Sequence, residues 1–90
     1  MKNQSHTNKL QILKYLVDTK ELLTASQISK SNANQYLIPL ANMKLIKRHK
    51  INNSKCLFSY VDSDVINKAK DYLKKYNALN ITVDRNLVRL

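Results

Sequence analysis

Ninety residues allow one small domain with a single modest core, and the absence of Gly beside one Pro favours a mostly helical fold with few flexible loops. Sixteen Lys and Arg against six Asp and Glu leave a net charge of +10, a field that attracts polyanions: nucleic acid first, an anionic membrane or an acidic protein second. The longest apolar stretch, residues 36 to 41, is far short of a membrane span, and the opening MKNQSHTNKL lacks the apolar core of a secretory signal. The single cysteine, Cys56, excludes an internal disulfide and fits a reducing, cytoplasmic setting.

The first block, TNKLQILKYLVDTKE, repeats Leu10, Leu13, Leu16 and Val17 at helical spacing, with Ile12 widening the stripe. A first helix is predicted over about residues 8 to 18, with Lys9, Lys14 and Lys20 outside its apolar face. The LLT that follows is compatible with a small strand. In TASQISK, Thr24 and Gln27 stand three apart, the spacing at which each side chain satisfies an orphan amide of a helix start. A short second helix follows, with Ala25 and Ile28 inward. Ser31 is placed to cap a third helix reaching about residue 44, whose Ala33, Leu37, Leu40 and Ala41 share a face. Two short helices with a brief connection, the second amphipathic, make a helix-turn-helix unit.

Pro39 interrupts that third helix. It cannot donate to the Gln35 carbonyl and clashes with it, at a cost of ~3 kcal/mol in a helix interior. Either the helix kinks there, or it starts later with Pro39 in its first turn and residues 34 to 38 as a loop. The shared face of Leu37, Leu40 and Ala41 favours the kinked helix.

In LIKRHKINNSKCLFSYV the period changes. Residues 46 to 51 and 56 to 61 read as strands around the turn-forming NNSK, with Phe58 and Tyr60 alternating with Ser59 and Cys56 a small core residue.

Helix, short strand, helix, a helix ending in MKLIKR, and a hairpin ending in FSYVDSD together resemble a winged helix-turn-helix DNA-binding domain of the kind found in small bacterial, archaeal or phage regulators. In that family the third helix commonly ends in a GLI-K/R phrase and the second wing strand in Y-S-L-T. Here the phrases read KLIKR and FSYVD, with Lys44 at the family's glycine. The resemblance covers roughly residues 8 to 62. It implies a mainly α fold with a small β-hairpin, the winged helix-turn-helix occupying residues 1 to 62.

Residues 63 to 90 extend the same domain. Asp62 or Ser63 can cap a fourth helix, with Asp64 in its first turn. Val65, Ile66, Ala69, Tyr72, Leu73 and Tyr76 form its apolar stripe, and Lys68, Lys70, Lys74 and Lys75 occupy the rest. The resemblance implies that this helix pairs two subunits, making the six stripe residues a dimer interface. The closing ITVDRNLVRL is compatible with a short strand, a frayed helix or an arm reaching another subunit.

The polar start of the third helix calls for a purpose. In helix-turn-helix proteins the first residues of the recognition helix face base edges in the major groove. Asn and Gln pair bidentately with adenine, so Asn32, Asn34 and Gln35 are candidate base readers, with Ser31, Tyr36 and Ile38 beside them. The plainer alternative is a polar turn filled by Ser and Asn. Lys30, Lys47, Arg48, His49, Lys50, Asn53 and Lys55 are the candidate phosphate contacts of the wing. Their plainer role is a charged edge that blocks strand-on-strand aggregation.

Catalytic chemistry is not indicated. Paired carboxylates are absent, and no Gly-rich phosphate loop can exist without Gly. His6 and His49 lack metal-ligand spacing, so no metal, cofactor or small-molecule ligand is expected. The tyrosines fit packing better than base stacking, since three of them lie on apolar stripes. The expectation is a homodimeric, double-stranded-DNA-binding transcriptional regulator reading an inverted, A·T-rich repeat with half-sites ~34 Å apart. A plasmid or phage replication or partition protein, a basic protein-interaction module and a single-strand or RNA binder are the alternatives. Cooperative binding to tandem repeats, indifference to the wing lysines and preference for unpaired bases would identify them in turn.

Overall fold

The leucine spacing of the first block produces α1 (Gln4–Thr19), on which Ile12, Leu13 and Leu16 are fully buried. The structure, a computed structural model, describes residues 4–30, 32–50 and 57–89. α1 begins well ahead of residue 8 because tertiary contacts hold its polar first turns. The His6 ring meets Tyr76 edge-on with centroids 4.6 Å apart, and Asn8 Nδ2 donates to the Tyr36 hydroxyl at 3.0 Å. Periodicity sees neither.

LLT contributes the two-residue β1 (Leu23–Thr24), and the capping box opens α2 (Ala25–Ile28). The Gln27 amide donates to Thr24 Oγ1 at 3.3 Å while Gln27 Oε1 accepts from the Thr24 amide at 2.9 Å. α3 (Asn34–Asn42) starts later than expected. Its N-cap is Ala33, and the Asn34 amide is satisfied instead by Asn32 Oδ1 at 3.1 Å. Ser31, the expected cap, lies outside the described residues. Pro39 stands inside the helix, so residues 34 to 38 are helical and the later-start alternative fails.

β2 (Lys47–Lys50) and β3 (Leu57–Tyr60) pair antiparallel, and β1 adds to the other edge of β3, giving the strand order β1-β3-β2. Ile46 and Val61, expected as strand ends, lie just outside the strands; Ile51, the NNSK turn and Cys56 fall among residues 51 to 56, outside the described residues. On β3 the buried position is Ser59, with Phe58 and Tyr60 partly exposed. α4 (Ile66–Lys75) follows a turn in which Asp62 accepts at its carbonyl from the amides of Val65 and Ile66, and at Oδ1 from the Asp64 amide.

α1 packs against both α3 and α4, and the core these helices share includes the fully buried Leu37, Leu40, Ala69 and Leu73. At about 1.5–3 kcal/mol for each large aliphatic side chain taken from water, this cluster dominates the stability. The closing segment resolves the choice left by its sequence: it folds back on its own chain. Leu87 and Val88 are buried, Val88 bridges Ser29, the Arg89 amide donates to Ile28 O, and Gln11 Oε1 accepts from the Asp84 amide. In a chain without Gly, three of the described helices are followed by non-Gly residues at left-handed φ: Lys20 (56°), Lys44 (63°) and Asn77 (56°). No helix among the described residues is long and apolar enough to cross a membrane.

Candidate nucleic-acid interface

Because α3 buries Tyr36, Leu37 and Leu40 against the core, its opposite face is fixed in space. Gln35, Ile38 and Asn42, at i, i+3 and i+7, lie exposed along it, with Ile38 51% exposed. Asn42 was missed in the sequence, although its spacing from Gln35 is a helical signal. Asn32, just ahead of the helix, is also exposed.

The expected base readers are therefore not equivalent. Tyr36 is 7% exposed and its hydroxyl accepts from Asn8, so it is a core residue joining α3 to α1. Asn34 is half-buried, and its Oδ1 accepts from Arg48 Nη2 at 2.7 Å. Gln35 and Ile38 remain open to a ligand, and Ser31 lies outside the described residues.

The wing cations also divide. Lys47 is ion-paired with Asp62 at 2.8 Å and Asp64 at 2.7 Å. The hydrogen bond to Asp62, followed by that to Asp64, raises the Lys47 ammonium well above its ordinary value; Lys47 in turn holds the Asp62 carboxyl below its own. Two carboxylates thus already pair with Lys47, unlike Lys50 on the same strand. Arg48 reaches inward, its Nε donating to Ser59 Oγ at 3.0 Å, and burial lowers its guanidinium from the ordinary value. Among the described residues it has no carboxylate partner. Ser59 is the support the sequence did not disclose, since pairing Arg48 with Ser59 depends on a hairpin register set elsewhere. His49 is exposed and its Nδ1 pairs with the Tyr60 hydroxyl at 2.9 Å. Lys30, Lys44 and Lys50 are exposed and, among the described residues, without ion pairs. Asn53 and Lys55 lie outside the described residues.

A groove of about 440 Å³ opens between α2, α3 and the sheet, lined by Thr24, Ala25, Asn34, Ile38, Arg48 and Leu57 among others. A second concavity, about 500 Å³, lies elsewhere, among Leu22, Tyr60, Asp62 and Ile66. Among the described residues no group of His, Cys, Asp and Glu is placed to hold a metal ion.

The expected dimer stripe is largely consumed within the chain. Val65, Ala69 and Leu73 are buried among the chain's own core residues, because α4 needs that face to pack on α1. Ile66 and Tyr72 are partly covered and Tyr76 is 41% exposed, the two tyrosine rings lying 5.0 Å apart.

No protein-family model, curated protein or solved structure matches the chain to a significant degree.

Proposed function

We propose that the chain is a winged helix-turn-helix protein that binds double-stranded DNA and regulates transcription, with α3 in the major groove and the β2–β3 hairpin on the backbone. The observation that carries this reading is the exposed Gln35–Ile38–Asn42 face of α3, uncharged and amide-bearing, while Lys30, Lys44 and Lys50, without ion pairs among the described residues, lie elsewhere on the surface. The element order and the strand order β1-β3-β2 support it. So does the left-handed φ of Lys44, at the position where the resembled family carries glycine. A net charge of +10 supplies the sequence-independent attraction.

Two copies joined through Ile66, Tyr72 and Tyr76 would place two α3 helices on an inverted repeat, and that pairing is part of the proposal. Selection of duplexes from a randomised pool tests the whole reading. Convergence on an A·T-rich, two-fold site is the expected outcome; a pool that stays random through successive rounds would reduce the activity to charge attraction.

A further inference from the structure

Asn34 stands at the start of α3 with Oδ1 2.7 Å from Arg48 Nη2. Arginine has no acceptor, so the amide atom facing it is the oxygen, and chemistry alone fixes which way the amide is turned. Arg48 is held in its own place by Ser59 Oγ, fully buried on β3. Arg48 takes one of the two lone pairs of Oδ1, and Nδ2 carries no hydrogen bond among the described residues. Adenine's major-groove edge requires an acceptor and a donor from one amide together, and the cationic guanidinium 2.7 Å from Oδ1 disfavours a second donor at that oxygen while leaving Nδ2 open. Beside Asn34 lies the groove of about 440 Å³, with Ala25, Ile38 and Leu57 as apolar walls. Ile38 is 51% and Leu57 40% exposed, so this apolar surface is open. A donor next to an apolar wall matches one base edge: thymine alone presents an acceptor, O4, together with a C5-methyl group in the major groove.

We propose that Asn34 and this groove form a thymine-reading site, with Arg48 as the positioning residue that withholds Asn34 from adenine. The inference rests on the reading of α3 as the element that faces the bases. Asn34 Nδ2 donates to O4 and the methyl lies against Ile38 and Leu57. Cytosine is refused because it sets a donor, N4, against a donor and brings no methyl.

The test replaces each thymine of the selected duplex singly by deoxyuridine, which keeps O4 and deletes only the methyl. At least one position loses affinity roughly fourfold, the worth of burying one methyl-sized group. 5-Methylcytosine there, which restores the methyl but turns the acceptor into a donor, does not recover it. In Arg48→Ala, repeated selection moves that position from thymine toward adenine, a change that loss of structure alone would not produce. Leu57→Ser, which removes an apolar wall without touching Arg48, abolishes the uracil effect and covers the case in which Arg48→Ala fails to fold. Duplex binding with no uracil-sensitive position overturns the proposal, as does a uracil effect that survives in both Asn34→Ala and Leu57→Ser. Failure of the unmodified protein to prefer duplex would remove the parent reading; the uracil scan failing alone removes only this one.

Discussion

The backbone amide of Leu45 donates to the carbonyl of Leu40 at 3.0 Å, and both side chains are buried at the close of α3. Between them Lys44 takes φ 63° while its own amide donates to Ala41 O at 2.9 Å. This paired closure is normally completed by glycine. A residue with a Cβ bears about 1–2 kcal/mol of strain in the left-handed region, and glycine returns about 0.5–1 kcal/mol of that as extra chain entropy. Lys44→Gly therefore stabilises the protein by roughly 0.5–1 kcal/mol, read as a higher urea midpoint at unchanged slope. A lower midpoint would contradict the left-handed closure.

Lys47 and Lys50 are three residues apart on one strand yet differ in availability. Removing a lysine that neutralises one phosphate lowers the slope of log affinity against log salt by about 0.9. Lys50→Ala lowers the slope by about that amount, whereas Lys47→Ala, its charge already neutralised by Asp62 and Asp64, leaves it unchanged. Equal slope changes in the two variants would mean that Lys47 leaves its carboxylates for DNA.

The same ion pair links stability to pH. Lys47 holds the folded Asp62 carboxyl below its ordinary value, so the stabilisation is present above the ordinary carboxylate range and is lost as pH falls through the lowered folded value. Asp62→Asn removes this contribution to the acid limb. Thermal melts between neutral and strongly acidic pH check it: the melting temperature of the variant falls less steeply than that of the unmodified protein.

Tyr36 and Gln35 are adjacent but serve different surfaces. Tyr36→Phe removes the bond to Asn8, costs about 1 kcal/mol of stability and leaves affinity for a selected duplex unchanged. Gln35→Ala leaves stability unchanged and weakens that duplex by roughly tenfold to a hundredfold, the worth of one bidentate base contact. Paired denaturation and binding curves on both variants separate the roles; a reversed pattern would place α3 in the wrong rotation.

A chain ending at residue 84 loses Leu87 and Val88 from the core and the bridge to Ser29. It is destabilised by at least about 2 kcal/mol, as for other large core deletions. Because these residues pack within their own chain, sedimentation shows the unmodified and shortened proteins in the same oligomeric state wherever both are folded. A change of state without loss of stability would restore the arm between subunits.

Much of this architecture is legible in the residues. The Leu10–Val17 stripe, the Thr24–Gln27 capping box and the Leu37–Leu40 face each act over a few positions, and local spacing is enough to read them. What escapes is set by contacts distant in sequence. The start of α1 depends on Tyr76 and Tyr36, the fate of the tail on Ile28 and Ser29, and the role of Asn34 on Arg48, fourteen residues away. The same limit governs the α4 stripe. A sequence marks Val65, Ala69 and Leu73 as apolar, but only the packing of α4 on α1 decides that they are interior.

The most direct test of duplex binding is fluorescence anisotropy with labelled duplex DNA, single-stranded DNA and RNA of matched length across a salt series. A duplex-reading protein binds duplex more tightly than either other polymer, with a steep salt slope that Lys50→Ala makes shallower. Equal affinity for all three, or no binding at moderate salt, would contradict it.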